Sequence, residues 1–220
     1  MKPARAADFT FVEASHTYSR GGIVFPSATR CIDHAGLTDY QNVREDILER
    51  RSEIGRNVHE AAHYYDEKDL NWDSISAETR GFVESWANWL AGSGFVVGVI
   101  EHQQIASLHG MRYGMKLDRF GVLRKKPTMV EIKITREIQD WHAVQLALYV
   151  AGFELDPDLS PLAKFLTTQR TVVQLRPAGK MAREVTFDDR KDYDVATWAL
   201  GITHWKLNHD RKIRELGDNA

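Results

Sequence analysis

The sequence predicts a single α/β domain in which a central mixed β-sheet is flanked by α-helices. Apolar residues recur at helical spacing in the first part of the chain, up to about residue 94. Alternating, β-branched segments then dominate to about residue 189, with one helical segment among them. The length of 220 residues is enough for one substantial core, so size does not require a second domain.

The N-terminal part, about residues 1–94, is predicted to contain a hairpin followed by helices. DFTFVEA and HTYSRGGIVFPS have the composition of short extended pieces, with a turn at Gly21-Gly22. Ser27 is placed to cap a short helix that runs to about Ala35.

Two longer helices complete this N-terminal part. The first is predicted over about residues 41–66 and carries His59, although Gly55 lies inside it. The second opens after Ser76 and stops at the glycine-rich segment 92–94.

The second part, about residues 95–209, is predicted to hold the sheet, a helix within it and a C-terminal helix, followed by a polar tail at 210–220. The predicted strands cover residues 95–107, 109–123, 127–135, 164–175 and 183–189. The predicted helices cover about residues 137–151 and 193–213.

The composition points to an intracellular protein that is not coated in basic residues. The formal net charge is −2, and 27% of the residues are charged. There is neither an apolar run long enough to span a membrane nor a signal-peptide pattern at the N-terminus, which favours a cytoplasmic protein without membrane contact. The single cysteine, Cys31, excludes an internal disulfide and a four-cysteine zinc or iron–sulfur site.

One acidic residue and one lysine share a face of the predicted strand at 127–135. In the stretch VEIKI, Glu131 and Lys133 lie two residues apart, so both side chains point to the same side of a strand. Asp118 comes thirteen residues before Glu131, and the segment RFGVLRKKPT can fold back between them as a hairpin. We therefore expect Asp118 to lie beside Glu131.

Two carboxylates held this close repel each other unless a cation lies between them. Mg²⁺ and Mn²⁺ prefer oxygen ligands and meet that need. A bound metal lowers the pKa of a coordinated water, and an ammonium such as Lys133 can orient the hydroxide or stabilise developing charge. The substrate that suits such a site is a phosphodiester, although an isolated E-x-K can also be an ordinary surface ion pair.

Two further residues extend the pattern along the chain. In QLALY, Gln145 and Tyr149 lie four residues apart on one face of the next helix. The ordered set Asp118, Glu131-x-Lys133 and Gln145-x-x-x-Tyr149 resembles the PD-(D/E)XK nuclease superfamily. Within it, the chain is similar to the RecB-like and lambda-exonuclease-like branch, which includes phage recombination exonucleases.

Other segments carry the same resemblance, which spans about residues 16–209. The run from Gly55 to His59 resembles the G-x-x-x-H signature of that branch, and HTYSRGGIVFPSAT resembles its Y-x-x-G…P-S-x-T entry segment. The resemblance implies that residues 1–220 form one domain with a restriction-endonuclease-like fold.

The resemblance also implies a role for each matched residue. Asp118 and Glu131 would bind the metal, together with the backbone carbonyl of Ile132. Lys133 would position or activate the attacking water. His59 would approach the same metal or the scissile phosphate.

Three matched residues would play supporting roles. Gln145 would orient the lysine or contact the DNA backbone, and Tyr149 would pack beside the site or touch DNA. Glu101 matches an acidic position that assists a second metal in some relatives.

The function implied by the resemblance is that of a Mg²⁺- or Mn²⁺-dependent deoxyribonuclease. Its relatives act as exonucleases in phage-type recombination or DNA processing, in the cytoplasm of a bacterium or a phage-infected host cell. They imply DNA as substrate, a ring-like homotrimer and a single-strand annealing protein as partners. The shortage of cysteines excludes the subgroup that holds an iron–sulfur cluster.

Additional DNA contacts are predicted outside the motif residues. Arg124, Lys125 and Lys126 lie at the tip of the expected hairpin and could contact phosphates or simply be solvated. Trp141, at the start of the motif helix, could stack on unpaired bases.

Two other functions remain open on the sequence. A protein with the same fold and the same residues could bind or assemble on DNA with negligible catalysis. The stretch HEAAH, from His59 to His63, matches the zinc peptidase pattern H-E-x-x-H. The glycine that the extended form of that pattern requires is replaced by Asp66.

Overall fold

The computed structural model describes residues 9–12, 17–38, 44–154 and 156–217. The described residues form eight strands in two sheets and six α-helices, so the predicted mixed α/β class is confirmed. The strands are β1 (Thr10–Val12), β2 (Thr17–Arg20), β3 (Ile23–Phe25), β4 (Val96–Leu108), β5 (Met111–Leu123), β6 (Lys126–Lys133), β7 (Gln169–Gln174) and β8 (Arg183–Phe187). The helices are α1 (Ala28–His34), α2 (Glu45–Asp66), α3 (Ala77–Ser93), α4 (Trp141–Gly152), α5 (Pro161–Thr167) and α6 (Lys191–Gly217).

The small N-terminal sheet is an antiparallel meander of β1, β2 and β3. The predicted turn at Gly21-Gly22 is confirmed, and both glycines have the positive φ that such a turn requires. The sheet is seated on β5, where the Gly114 N–H donates to the Pro26 carbonyl at 2.8 Å. The ring of Tyr18 covers Gly114 so closely that a methyl group there would lie 2.0 Å from ring carbons.

The main sheet has five strands in the order β4-β5-β6-β7-β8. Strands β4, β5 and β6 form an antiparallel meander, whereas β6 and β7 are parallel. A parallel pair requires a crossover connection, and α4 and α5 provide it. The predicted hairpin before Glu131 is confirmed, because Arg119 of β5 pairs with Val130 of β6.

Helices cover both faces of this sheet. One apolar cluster joins the sheet to α1, α4 and α6 and includes the fully buried Leu117, Leu146 and Leu200. The other joins it to α2 and α3 and includes Trp86 and Ile132, also fully buried. The sheet is therefore the central layer, as the sequence predicts.

Several predicted helix limits are confirmed by their capping bonds. The Ser27 side chain accepts from the Arg30 N–H at the start of α1, and the Ser76 side chain accepts from the Thr79 N–H at the start of α3. Helix α3 ends at Ser93, and its C-cap Gly94 takes the left-handed conformation with a φ of 71°.

The start of the helix that carries Gln145 was placed too early by the sequence pattern. It was predicted from about Glu137 and begins at Trp141. His142 Nδ1 accepts the Gln139 N–H at 2.9 Å, which joins the preceding loop to the first turn of the helix. The residues before Trp141 form a loop that leads from β6 into the helix.

The strand predicted over residues 164–175 is wrong in its first part. Residues 161–167 form α5, whose first turn is capped by Ser160 accepting from the Ala163 N–H. Pro161 occupies the first turn, where its missing N–H costs nothing. The strand β7 therefore begins only at Gln169.

The last helix is longer than predicted. Helix α6 starts at Lys191 and continues to Gly217, through most of the segment expected to be a polar tail. No helix in the described ranges combines the length and apolar character needed to cross a lipid bilayer. His16 of the predicted entry segment and residues 41–43 of the helix predicted over about 41–66 lie outside the described residues.

Candidate functional site

The predicted carboxylate pair lies where the pairing of β5 with β6 ends. Because Arg119 pairs with Val130, the next positions along the hairpin place Asp118 opposite Glu131. Asp118 is 6% exposed and Glu131 is 4% exposed. Two nearly buried carboxylates at one place need compensating charge or hydrogen bonds.

Asp118 is held from both sides. Its Oδ2 accepts the Ile132 N–H at 2.7 Å, and its Oδ1 lies 3.3 Å from Nδ1 of His59. Burial would raise the pKa of Asp118, but the charge and hydrogen bond of His59, the charge of Lys133 and the Ile132 N–H outweigh it. The pKa of Asp118 is therefore well below its ordinary value, and the group is ionised at neutral pH.

Glu131 has one satisfied and one unsatisfied oxygen. Its Oε1 accepts from Lys133 Nζ at 2.6 Å, whereas its Oε2 is buried and has no hydrogen-bond partner among the described residues. Burial and the neighbouring charge of Asp118 raise the pKa of Glu131 to about 7, against the lowering effects of Lys133 and His59. A carboxylate oxygen without a hydrogen-bond partner at a cleft can serve as a ligand to a hard cation.

His59 connects α2 to the carboxylate pair. Burial lowers the pKa of His59, but the charge and hydrogen bond of Asp118 and the charge of Glu131 raise it above its ordinary value overall. The raised pKa favours the protonated imidazole, whose positive charge offsets part of the negative charge of the two acids. This geometry brings together three of the predicted site residues, from three different elements.

The predicted pair on α4 also reaches the site. Gln145 Nε2 donates to the Tyr149 hydroxyl at 2.8 Å, and both side chains are buried. The Gln145 Oε1 is a buried acceptor without a partner in the described part of the chain. Burial, together with the charges of Glu131 and Asp118, raises the pKa of Tyr149 well above its ordinary value, so its hydroxyl stays neutral.

Lys133 lies at the edge of this cluster beside an aromatic wall. Its Nζ is 5.6 Å from the centroid of the Trp141 ring. That ring packs against His142 with centroids 3.9 Å apart and is only 9% exposed. Trp141 therefore offers little surface for the predicted stacking on bases and instead forms a wall next to the lysine.

Glu101 lies on β4 at the point where its pairing with β5 is interrupted. Ile100 and His102 pair across to β5, but Glu101, which faces the position of Asp118, does not. Its φ of 45° is left-handed, a strained conformation for glutamate. Its carboxylate lies 3.1 Å from Lys116 Nζ, so its charge is compensated without a metal.

The basic residues predicted to contact DNA from the hairpin tip are not brought to the site. Arg124 and Lys125 form the turn between β5 and β6, and Lys126 opens β6. Arg124 Nη1 is paired with the Glu184 carboxylate at 2.8 Å. None of the three basic residues lines the cleft that contains Asp118.

The cluster opens into a long cleft of about 1970 Å³ between α2 and the sheet. This volume exceeds the roughly 300–1,000 Å³ of ordinary small-molecule sites and suits a polymeric substrate. Tyr18 of the N-terminal sheet and five arginines also line it. Tyr18 belongs to the Y-x-x-G entry segment of the resemblance. The sequence does not predict the five arginines as a group, because they come from several separate segments.

Asp118 and Glu131 supply carboxylate oxygens, the donor type that hard divalent cations prefer. The described residues contain no group of three or more His, Cys, Asp or Glu side chains arranged to hold a metal. The two histidines of HEAAH take different partners: His59 contacts Asp118, whereas His63 contacts Glu67 at 3.2 Å. Mg²⁺ in proteins is typically bound by one or two carboxylates and keeps several water molecules as its other ligands.

Comparison with known proteins identifies no family for this chain. No protein-family model matches the sequence. No curated protein is significantly similar to it. Among solved structures, the chain is similar to the protein SSO0001, at 16% identity over 68% of this chain and 74% of that chain, with a TM-score of 0.29. A likeness at this level establishes neither the fold nor the function of this chain.

Proposed function

We propose that this chain is a Mg²⁺- or Mn²⁺-dependent deoxyribonuclease of the PD-(D/E)XK type, acting as an exonuclease in phage-type recombination or DNA processing. The observation that carries the proposal is the convergence of Asp118, Glu131 and Lys133, with the buried Glu131 Oε2 left without a partner. The mixed sheet with helices on both faces supports a restriction-endonuclease-like fold.

The residues that would hold the metal are Asp118, Glu131 and the backbone carbonyl of Ile132. Asp118 is ionised, and its Oδ2 is fixed by the Ile132 N–H, so one ligand is preorganised. When bound, Mg²⁺ would supply an acidified water and neutralise charge on the phosphate. A phosphodiester is the substrate class that benefits from both effects.

The remaining side chains would orient the reactants. The Lys133 ammonium is held 2.6 Å from Glu131 Oε1, where it can position the attacking water or stabilise charge on the phosphate. His59 would keep Asp118 in place or donate to the scissile phosphate. Gln145 and Tyr149 hold each other and would present the free amide oxygen of Gln145 to the ammonium or to water.

The direct test is digestion of end-labelled DNA by the purified protein. Linear and circular DNA, each single- and double-stranded, are incubated with Mg²⁺, with Mn²⁺ and with EDTA. We expect metal-dependent release of short products from linear DNA and little attack on closed circles. Binding without any cleavage under all conditions would favour the alternative of a DNA-binding or assembly protein.

Metal affinity should rise with pH around neutrality. Because the pKa of Glu131 is raised to about 7, the metal-free site carries a proton below that pH, and a cation has to displace it. For one competing proton, affinity for Mn²⁺ should increase about tenfold from pH 6 to pH 8. The raised pKa of His59 acts in the same direction.

Titration calorimetry in buffers of different ionisation enthalpy measures both the affinity and the protons released. Proton release should be clear near pH 6.5 and nearly absent at pH 8.5. Affinity that is independent of pH, with no proton release, would contradict the assignment of Glu131 as a ligand.

A further inference from the structure

Five exposed arginines, together called the arginine arc, line the cleft. They are Arg51, Arg56, Arg136, Arg176 and Arg183. None of them forms a salt bridge with a residue that the structure describes, and Arg56 donates only to the neutral Ser52 Oγ, at 3.0 Å. The chain as a whole has a net charge of −2, yet these five arginines line one cleft without an ion-pair partner among the described residues.

The fold gathers three members of the arginine arc at one edge of the main sheet. Because β6 and β7 are parallel, their C-terminal ends meet at the same edge. Arg136 follows the end of β6 and Arg176 follows the end of β7, while Arg183 pairs with the last residue of β7, Gln174. Gln174 Nε2 also donates to the Arg136 carbonyl at 2.8 Å, which ties the loop after β6 to this edge.

The other two members, Arg51 and Arg56, lie near the middle of α2, which passes close to the same edge. A methyl group on Gly55 would lie 4.0 Å from Ile134, the residue after β6. Arg51 and His59 are eight residues apart on α2, or about 12 Å along its axis. The arc therefore extends from the carboxylate pair in one direction.

On the other side of the carboxylate pair, the lysine that lines the cleft already has a partner. Lys116 is paired with Glu101 at 3.1 Å, and His63 lies 3.2 Å from Glu67 and 4.0 Å from Glu101. The acids that line the cleft near the arc, which include Glu78, make no ion pair with its members. The charge of the cleft is thus asymmetric about the site.

We infer that the arginine arc binds the phosphate backbone of the nucleic acid on one side of the cleavage site only. The inference rests on the proposed nuclease function and adds where the substrate lies. Arginine forks match phosphate oxygens, and a length of about 12 Å corresponds to three or four phosphates of one strand of a duplex. An acidic peptide lacks such a regular spacing of charge.

The binding test uses fluorescently labelled duplex and single-stranded oligonucleotides in Ca²⁺, which should occupy the site without supporting cleavage. Two double variants, R51A/R56A and R136A/R176A, are compared with the charge-matched control R112A/R190A, which removes exposed arginines outside the cleft. Affinity is measured by anisotropy between about 50 and 200 mM salt. Each arc variant should bind at least tenfold more weakly at the lowest salt and lower the slope of log K against log salt by about 1.8 for duplex.

The charge-retaining variant R136K/R176K should recover most of that slope, which a merely structural role would not explain. One-sidedness is tested with oligonucleotides whose linkages on the 5′ side or the 3′ side of a single normal phosphodiester are neutral methylphosphonates. Neutral linkages should slow cleavage on one side and not on the other. Equal effects on both sides would overturn the one-sided arrangement.

The outcomes separate this inference from the proposed function. If the wild-type protein cleaves DNA but the arc variants bind like R112A/R190A, the arc is not the binding surface and the nuclease proposal stands. If the wild-type protein binds DNA through the arc but does not cleave it, the binding surface stands and the nuclease proposal fails. If the wild-type protein neither binds nor cleaves nucleic acid, both are wrong.

Discussion

Replacing Glu131 or Lys133 by alanine should abolish divalent-dependent DNA cleavage while the protein stays folded. Removing Glu131 deletes a metal ligand, and removing Lys133 deletes the only ammonium within hydrogen-bond distance of that carboxylate in the described residues. Loss of one such preorganised charged group typically costs about 10²–10³-fold in rate, and loss of a metal ligand costs at least as much. Initial rates on end-labelled DNA measure the effect.

Measurements of the free energy of unfolding distinguish a variant that has lost cleavage activity from one that has lost its fold. The raised pKa of Glu131 means that it stabilises the folded state below its unfolded pKa of 4.5, and that this contribution is lost as the pH rises through about 7. The variant E131Q keeps the neutral form at all pH values, so at pH 8 it should be at least as stable as the wild type in the absence of metal. E53Q, an exposed change on α2, serves as the control and should change neither activity nor stability. Full cleavage by both alanine variants would rule out the site.

Replacing Asp66 by alanine should have the largest effect on stability. Asp66, at the end of α2, accepts from Arg119 Nε and from Trp86 Nε1, the latter at 2.8 Å. The side chains of Arg119 and Asp66 are 0% and 1% exposed. Without Asp66 the guanidinium is buried and uncompensated, which typically costs about 3–5 kcal/mol of unfolding free energy. Urea denaturation of the metal-free protein measures the loss.

The double variant D66A/R119M provides the control. It removes both charges and keeps an apolar side chain of similar length at position 119, so it should recover most of the stability lost in D66A. A D66A protein within about 1 kcal/mol of the wild type would show that the ion pair is not important for stability. The same conclusion would follow if the double variant were no more stable than D66A.

The sequence predicts those parts of the fold that depend on local chemistry. Serine caps at Ser27 and Ser76 and the left-handed Gly94 mark helix limits that the structure confirms. The spacing of Asp118 and Glu131 on either side of a hairpin predicts their contact, because a hairpin fixes register within a few residues.

The parts that the sequence does not predict depend on contacts between distant segments. Helix α5 was predicted as part of a strand because the β-branched residues of β7 follow it directly. Ser160 and Pro161 are nevertheless typical of a helix start. The arginine arc has no local signature, since its members are brought together only by parallel pairing of β6 with β7 and by the path of α2. By contrast, Arg124, Lys125 and Lys126 are consecutive in the sequence and were therefore easy to identify as a basic group. They do not line the cleft.

The seat of the N-terminal sheet on β5 limits how far the protein can be shortened. The ring of Tyr18 occupies the space above Gly114 that a side chain would otherwise fill, and the same tyrosine lines the cleft. A fragment that began at β4 would retain Asp118, Glu131 and Lys133. It would expose the backbone at Gly114 to solvent and to other molecules. Shortened forms of the protein should therefore keep the N-terminal sheet of β1, β2 and β3.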